Sequence, residues 1–483
     1  MSSRVSTRLV EGGRVNTGRP NIVFIMTDDH ASHAMSCYGS RINTTPNLDR
    51  IANEGMRFDN CFCTNSICAP SRATILTGTY NHINGVTTLA TPIDGRQNSF
   101  IKVLKSAGYR TAIVGKWHLG HGGHSDPKGF DYWNVLPGQG DYHNPMMIEM
   151  GAEKQYEGYV TDIITDLSID WLDGRDKEAP FCLMYHHKAP HRWWEPDDKH
   201  ADMYKDADIP EPETFWDDYS NRASAAREAK MRVDRDLDER DLKGPAPEGL
   251  DPADEKRWKY QRYIKDYLRC VASVDDNVGR MLDYLDEQGL KENTIVVYTS
   301  DQGFFLGDHG WYDKRFMYEE ALRMPLLVRY PNGIEAGTVS DDMVLNVDFP
   351  ATFLDYAGLA IPEEFQGRSI RPILEGSTPD DWRTSMYYRY WMHLAHHHVY
   401  AHYGIRTHKH KLIYYYADAL GQGGAIDDPK EPEWELFDLV ADPLEMTSVY
   451  GDPTYAEITA ELKKEMYRLQ AEVDDERYEK DRG

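Results

Sequence analysis

The sequence predicts an α/β fold in which a large, mostly parallel sheet is sandwiched by helices, followed by a smaller C-terminal α+β domain with an antiparallel sheet. Apolar strand-like runs alternate with helical patterns over most of the chain, which is typical of parallel sheets covered on both faces. Beyond about residue 375 the runs become aromatic and follow one another closely, which is typical of antiparallel sheets. The 483 residues therefore divide into a polar tail (1–20), an α/β domain (21–375) and a C-terminal domain (376–483).

Two of the predicted strands end directly in acidic loops. Residues 21–26 form a short apolar run that is followed by Thr-Asp-Asp-His, and residues 294–300 form a second run that is followed by Asp-Gln-Gly. Continuous apolar runs of this length are typical of strands buried on both faces. Because ligands of open α/β sheets bind beyond the carboxyl ends of the strands, we expect the two acidic loops to meet in one site.

The other elements follow from the same patterns. In the α/β domain we predict strands at 111–114, 181–185 and 326–329, and helices at 48–54 and 266–287. In the C-terminal domain we predict strands at 386–390, 403–407, 411–416 and 435–439, and a helix at 454–473. Residues 197–256 are rich in charge and proline and have few apolar anchors, so we predict a surface excursion that is either a solvated charged face or a lid.

Composition restricts the partners and the compartment. A formal net charge of −26 argues against nucleic acid and anionic membranes as partners, since both need a basic face. No run approaches the roughly 20 apolar residues that span a bilayer, and residues 1–20 lack the apolar core of a signal peptide. We expect a cytoplasmic protein, or a periplasmic or secreted one if a leader has been removed. The six scattered cysteines predict no disulfide framework, and all except Cys68 are expected to be ordinary buried thiols.

The acidic loops supply candidate metal ligands. Asp28, Asp29 and Asp301 are carboxylates that raise one another's pKa when they pack together, unless a cation compensates them. With the amide oxygen of Gln302 they form a set of hard oxygen ligands, which suits Ca²⁺ or Mg²⁺ better than zinc. Ca²⁺ is favoured because it accepts irregular geometry. The alternative is that these acids are helix N-caps or ordinary loop residues.

A longer motif begins at Cys68. The segment reads Cys-Ala-Pro-Ser-Arg and is followed by Leu-Thr-Gly at 76–78. It resembles the signature of the type I, formylglycine-dependent sulfatases of the alkaline-phosphatase superfamily, which is Cys or Ser, any residue, Pro, Ser, Arg, and then Leu-Thr-Gly at the same offset. The resemblance extends from residue 21 to about residue 442, which is most of the chain.

Further positions of this family match where the local motifs match. Lys116 and His118 lie in Gly-Lys-Trp-His-Leu-Gly, His191 lies in Ala-Pro-His, and Lys314 lies in Asp-Lys-Arg. Gln302 stands where relatives usually have Asn, so it keeps the amide oxygen on a longer arm. The resemblance implies a calcium site formed by Asp28, Asp29, Asp301, Gln302 and the converted Cys68.

The resemblance also implies a mechanism. A formylglycine-generating enzyme oxidises the cysteine to an aldehyde during maturation, and one oxygen of the aldehyde hydrate, held on Ca²⁺, attacks sulfur in line. Arg72 holds the hydrate, and Lys116 and Lys314 spread the charge of the sulfuryl oxygens. His191 is the general acid to the leaving alkoxide, and His118 is the base whose action expels sulfate.

The substrate is predicted from two longer segments. Residues 138–145 and 310–320 resemble carbohydrate sulfatases, most closely those that act on 6-sulfated N-acetylglucosamine. Polar and aromatic side chains suit a sugar subsite, for which the candidates are His143, Arg389, His393 and Arg406. Other sulfated glycans and small aryl or alkyl sulfates are alternative substrates.

Two other functions stay open at this point. A phosphonate or phosphate ester hydrolase could use the same scaffold, although phosphonate relatives tend to lack the residues found here as Lys116 and His118. A non-catalytic binding protein would carry an unmodified Cys68. The histidine run at 396–398 is either a metal tract or a solvated loop.

Overall fold

The computed structural model describes residues 18–475, so most of the predicted polar tail lies outside the described residues. The strands are β1 (Asn21–Thr27), β2 (Met56–Phe58), β3 (Cys61–Phe62), β4 (Arg110–Lys116), β5 (Tyr132–Leu136), β6 (Met146–Glu149), β7 (Ala152–Gln155), β8 (Phe181–His186), β9 (Thr294–Ser300), β10 (Phe305–Leu306), β11 (Tyr312–Asp313), β12 (Leu326–Arg329), β13 (Thr338–Ser340), β14 (Val344–Leu345), β15 (Ser385–Tyr390), β16 (His402–Thr407), β17 (His410–Tyr415) and β18 (Glu433–Asp438). The α-helices are α1 (Pro46–Asn53), α2 (Cys68–Thr77), α3 (Asn81–Asn84), α4 (Phe100–Ser106), α5 (Val160–Gly174), α6 (Ser224–Glu228), α7 (Glu239–Leu242), α8 (Pro252–Glu287), α9 (Glu319–Leu322), α10 (Phe349–Tyr356), α11 (Arg371–Leu374), α12 (Ala395–His398) and α13 (Ala456–Glu472).

The large sheet contains ten strands in the order β13-β2-β12-β9-β1-β8-β4-β5-β6-β7. Its centre, from β9 to β5, is parallel throughout, as predicted. The flanks contain antiparallel pairs, in which β12 lies against β9 and β2, and β6 and β7 follow β5. The strand predicted at 326–329 runs antiparallel because the preceding loop returns the chain to the carboxyl end of β9, so the next strand can only run back.

Helices cover both faces of this sheet. On one face, Phe24 of β1 packs edge-to-face against Phe353 of α10, with ring centroids 5.5 Å apart. On the other face, Tyr185 of β8 shares a hydrogen bond with Thr165 of α5. Tyr185 is in register with Ile25, the neighbour of Phe24, and side chains alternate along a strand, so the two contacts lie on opposite faces. The predicted sandwich is confirmed.

The helix predicted at 266–287 is longer than expected. It begins at Pro252, because Asp251 accepts hydrogen bonds from the amides of Ala253 and Asp254 and proline is favoured in the first turn. Only the first turn of α8, residues 252–256, falls within the predicted surface excursion. Among the described residues, no helix combines the length and apolar character needed to cross a membrane.

The segment that precedes α8 is more firmly anchored than predicted. Phe215, Met231 and Val233 are fully buried, and Tyr219 stacks on Trp311 with ring centroids 5.2 Å apart. The expectation of few apolar anchors at 197–256 is therefore wrong. These apolar residues are separated by charged ones without helical or strand periodicity, so no sequence pattern revealed them.

The C-terminal part has the predicted architecture. The strands β15, β16, β17 and β18 form an antiparallel sheet in that order, and the closing helix α13 follows. Helix α13 buries Leu462, Met466 and Leu469, which recur at helical spacing. The smaller α+β unit is therefore confirmed as an element of the fold.

Candidate active site

The carboxyl ends of β1 and β9 place the two acidic loops side by side. The two strands pair in parallel up to Thr27 and Ser300, so Asp28 and Asp301 leave neighbouring strands at the same level. The Asp29 amide donates to Asp301 Oδ1 at 3.3 Å. One carboxylate oxygen from each of the three acids lies within 4.8 Å of the others, and all three residues are buried. The prediction that these loops meet is confirmed.

Three buried carboxylates in contact need compensating positive charge. Burial raises the pKa of Asp29 to about 7, with Asp301 adding to the rise and Lys314 opposing it. The side-chain amide of Gln302 donates a hydrogen bond from Nε2 to Asp29 Oδ1. The buried Oε1 of the same amide has no hydrogen-bond partner within residues 18–475. A carboxylate cluster with a spare amide oxygen has the donor set of a hard divalent cation such as Ca²⁺. The residues therefore fit the cation that the sequence predicts.

Cys68 opens helix α2 and faces this cluster. Its Sγ lies 3.4 Å from Asp28 Oδ1. Burial raises the pKa of the thiol to about 12, so an unmodified Cys68 is a neutral thiol near pH 7. A thiolate rather than a thiol is the reactive form of cysteine. The unmodified side chain is consequently a poor nucleophile at this position.

The motif residues after Cys68 each have a place in α2. Pro70 lies in the first turn, where its missing N–H is not required. Ser71 donates its hydroxyl to the Asp301 carbonyl, which ties the helix to the second acidic loop. Gly78 ends the helix in a left-handed conformation with φ 68°, which favours glycine. The motif therefore specifies the position of the helix as well as its chemistry.

Arg72 links three elements of the site. Its Nε donates to Asp301 Oδ2 at 2.8 Å, and its Nη1 donates to the Lys116 carbonyl at 2.9 Å. Its Nη2 lies 3.8 Å from Asp28 Oδ2. The guanidinium thus connects β4 with both acidic loops and supplies a fixed positive charge to the carboxylates.

Two lysines from distant segments of the sequence contact the carboxylates. Lys116, the last residue of β4, forms an ion pair with Asp28 and donates to the Gln139 side chain. Lys314 places Nζ 2.6 Å and 2.7 Å from the two oxygens of Asp29. Burial alone would lower the pKa of Lys314, but the surrounding acidic groups, Asp29 foremost, together outweigh burial and raise that pKa. Both lysines are therefore in the cluster, as the motifs imply.

The two predicted histidines lie beside the lysines. His191 Nδ1 is 2.6 Å from the Arg192 carbonyl, so Nδ1 carries hydrogen and Nε2, 3.8 Å from Asp29 Oδ2, is left to exchange a proton. Burial and the charge of Lys116 lower the pKa of His191 well below its usual value. The same two causes lower the pKa of His118. His118 is therefore neutral near pH 7, which is the form a base requires.

The histidines proposed for a sugar subsite lie outside this cluster. His143 is exposed and packs against Tyr159, with ring centroids 5.2 Å apart. His393 is buried, and its Nε2 is 3.1 Å from the Asp428 carbonyl. Within residues 18–475, neither histidine has a hydrogen bond or ion pair with the residues around Cys68.

The arginines proposed for the same subsite are occupied by contacts within the protein. Arg389 donates to Asp475 at 2.7 Å. Arg406 pairs with Glu319 at 3.1 Å and 3.2 Å and lies over the Phe62 ring. Both arginines are buried on strands of the C-terminal sheet. The structure gives them intramolecular roles, which sequence motifs alone cannot distinguish from ligand binding.

Arg406 can be tested directly for that structural role. Replacing Arg406 with alanine removes one cationic partner of the half-buried Glu319, which keeps Arg323 and Lys411, so we expect about 2 kcal/mol lower stability, the scale of a lost hydrogen bond to a charged group. We expect an unchanged KM. Urea unfolding and steady-state kinetics measure the two effects, and a large rise in KM without destabilisation would support the substrate-binding role instead.

Three polar side chains close to the lysines were not predicted from sequence. Gln139 binds Lys116, and Arg315 donates to the Tyr390 hydroxyl at 3.1 Å. His397 Nε2 lies 3.1 Å from Asp313 Oδ2, so the solvated-loop interpretation of the 396–398 run is wrong for this residue. Arg315 directly follows a motif lysine, which was an available signal. The contact between His397 and Asp313 joins segments that are distant in the sequence, so no local pattern indicates it.

Known proteins resemble the chain along most of its length. Residues 20–359 match the family described as Sulfatase, and residues 307–472 match N-sulphoglucosamine sulphohydrolase, C-terminal. An N-acetylglucosamine-6-O-sulfatase from Bacteroides thetaiotaomicron is 47% identical over 95% of this chain and 88% of its own. The human N-acetylglucosamine-6-sulfatase is 31% identical over 79% of this chain and 69% of its own.

A solved structure extends the similarity to three dimensions. A protein in complex with its substrate D-glucosamine-2-N,6-O-disulfate superimposes with a TM-score of 0.88 and 46% identity, over 94% of this chain and 98% of its own. The family match covers more than half of the chain and includes both acidic loops and the Cys68 motif. The chain therefore belongs to the sulfatase family, whose members are sulfuric ester hydrolases.

Proposed function

We propose that the protein removes the 6-O-sulfate from a glucosamine or N-acetylglucosamine unit of a sulfated glycan. The observation that carries this proposal is the similarity, at 46% identity and a TM-score of 0.88, to a structure whose bound substrate is D-glucosamine-2-N,6-O-disulfate. The N-acetylglucosamine-6-O-sulfatase at 47% identity supports the same substrate class. The predicted candidates among the C-terminal arginines do not contribute to this proposal.

Two groups complete the proposed site. Asp28, Asp29, Asp301 and Gln302 would hold Ca²⁺, or Mg²⁺ in its place, which supplies Lewis acidity and positive charge. Formylglycine, made from Cys68 by a maturation enzyme, supplies a hydrated aldehyde in place of an inert thiol. The raised pKa of the thiol, about 12, supports the need for such a conversion.

Side chains of the protein would stabilise charge, position the reacting groups and transfer protons. Lys116 and Lys314 would bind oxygens of the sulfuryl group. Their positive charges would stabilise the negative charge on these oxygens while the bond from sulfur to the sugar oxygen breaks. Arg72 holds the carboxylates of Asp28 and Asp301 in register beside Cys68. His191 would give a proton from Nε2 to the departing sugar oxygen, which requires a ring that is protonated on both nitrogens; a bound sulfate anion would offset the charge of the lysines and raise the pKa of His191 toward that form. The neutral His118 would accept a proton in the step that releases sulfate.

A panel of esters tests the substrate. We expect sulfate release from 6-O-sulfated N-acetylglucosamine to exceed release from 4-nitrophenyl sulfate in kcat/KM, and phenyl phosphonate to be the poorest substrate. Ion chromatography of released sulfate and phenol absorbance measure the three rates. Faster phosphonate turnover would refute the sulfatase assignment, and turnover of the aryl sulfate without any sugar sulfate would refute the sugar substrate.

The position of Gln302 allows a test of the metal site. Replacing Gln302 with leucine removes the buried amide oxygen, so we expect Ca²⁺ affinity to fall at least about 10-fold, since even residues that only orient metal ligands have effects of this size. Gln302→Asn keeps an amide and is expected to retain most of the affinity. Calorimetric titration of chelator-treated protein measures both, and equal affinity in the leucine variant would exclude Gln302 as a ligand.

A further inference from the structure

A third lysine lies next to the reaction centre. Lys188 follows strand β8 and is 1% exposed. Its Nζ lies 4.6 Å from the centroid of the Tyr142 ring, and its carbonyl accepts the His191 amide at 3.1 Å. The Tyr142 hydroxyl donates to the His191 carbonyl at 2.5 Å. Tyr142 therefore contacts both Lys188, through its ring, and the predicted general acid His191, through its hydroxyl.

The charge of Lys188 has no direct counterpart. Lys116 contacts Asp28, and Lys314 contacts Asp29, each within ion-pair distance. For Lys188, no carboxylate or other hydrogen-bond acceptor lies within reach of Nζ in the described part of the chain, which leaves the face of the aromatic ring as its contact. A buried ammonium is unfavourable unless an anion or hydrogen-bond acceptors compensate it. Within residues 18–475, Lys188 therefore lacks an anion at ion-pair distance, although more distant carboxylates such as Glu195 act on its charge.

A backbone contact places Lys188 beside the first acidic loop, because the carbonyl of Ala189, the next residue, accepts the Asp28 amide at 3.4 Å. The charge of Lys188 lowers the pKa of Lys116 more than the charge of Lys314 does, and it also lowers the pKa values of His118 and His191. Lys116 pairs with the side chain of the same Asp28, so both lysines lie beside this acidic loop. An anion bound by Lys116 would thus lie within the field of Lys188.

We propose that Lys188 is a third lysine of the anion site and binds an oxygen of the sulfuryl group that is transferred. The inference deepens the proposed function and rests on it. The other lysines are partly neutralised by Asp28 and Asp29, whereas Lys188 has no ion pair in residues 18–475, so its charge is available to the substrate and to the sulfate product. The cation–π contact holds the ammonium in place without neutralising it.

Inorganic sulfate is the probe that tests this role. Lys188→Met keeps the length and packing of the side chain and removes its charge. We expect the inhibition constant of inorganic sulfate and the KM of the sugar sulfate both to rise about 10-fold or more, the size of a lost charged hydrogen bond. Lys188→Arg is expected to restore both to within a few fold of wild type.

Three controls keep the outcome interpretable. Lys256→Met removes another buried ammonium over an aromatic ring, 4.4 Å from the Phe215 centroid, whose Nζ already donates to a carbonyl, and it should leave the sulfate constant unchanged. Mass spectrometry confirms equal conversion of Cys68 in all variants. Calorimetric binding of inorganic sulfate gives the same comparison without any sugar, so failure of the sugar substrate and failure of the Lys188 role are separable.

Two results would overturn the proposal. If Lys188→Met lowers the melting temperature but leaves the sulfate constant unchanged, the lysine only packs against Tyr142. If the variant weakens a disulfated sugar but not inorganic sulfate or the monosulfated sugar, the lysine recognises a second anionic substituent and not the transferred group.

Discussion

Replacing Cys68 with alanine is expected to abolish hydrolysis, with a fall in kcat of about 10⁴-fold or more, the scale seen when a covalent nucleophile is removed. The side chain begins α2, is buried, and lies 3.4 Å from Asp28, so no other group can take its position in the cluster. The fold should survive, because alanine is a good helix residue and the change is small. Sulfate release by ion chromatography measures the effect.

A matched control separates chemistry from packing. Cys182 is equally buried, in β8, and among the residues that the structure describes no hydrogen bond or ion pair joins it to the carboxylate cluster. Cys182→Ala removes the same sulfur atom, so it is expected to cost some stability and to leave kcat per converted protein nearly unchanged. Activity in the Cys68→Ala variant above about one per cent of wild type would contradict the role of this residue.

Replacing His191 with asparagine is expected to give the second largest effect, and its size should depend on the leaving group. General acid catalysis contributes about 10²–10⁴-fold when the departing group is a poor one. A sugar alkoxide needs a proton, whereas 4-nitrophenolate does not. We therefore expect a fall of about 10²-fold or more on the sugar sulfate and a much smaller one on 4-nitrophenyl sulfate.

The comparison of the two substrates within one variant is its own control. A folding defect or lost metal would slow both substrates by the same factor, whereas a lost proton donor slows only the sugar sulfate. The arrangement of His191 supports the second result, because Nδ1 is engaged by the Arg192 carbonyl and only Nε2 can transfer a proton. Equal losses on both substrates would assign His191 a structural or metal-supporting role.

The sequence was sufficient for the parts of the site that follow buried strands. Asp28 and Asp301 stand immediately after continuous apolar runs, and parallel strands bring their carboxyl ends to one edge of the sheet. Cys68 was identified because its motif combines chemistry with the requirements of a helix, including the left-handed position of Gly78. Signals of this kind depend only on residues that are close together in the chain, so a single sequence is enough to detect them.

The parts that could not be predicted depend on contacts between distant segments. The candidate Arg406 carries the charge of a ligand-binding residue, but Glu319 engages it from another element. Lys188 carries no signal in the sequence, because its environment is formed by the distant Tyr142 and a single lysine is typical of the surface. The sequence of residues 197–256 predicts a solvated segment, because its apolar residues follow neither helical nor strand periodicity. In each case the burial of the residue and the identity of its partner depend on the tertiary structure, which a local sequence pattern does not reveal.

The fraction of converted Cys68 tests the central claim most directly. Preparations that differ in maturation are digested, the Cys68 peptide is quantified as thiol and as aldehyde by mass spectrometry, and each preparation is assayed on 6-O-sulfated N-acetylglucosamine. We expect the rate of sulfate release to be proportional to the aldehyde fraction and to extrapolate to zero for fully unconverted protein. A rate that is independent of this fraction would contradict the account.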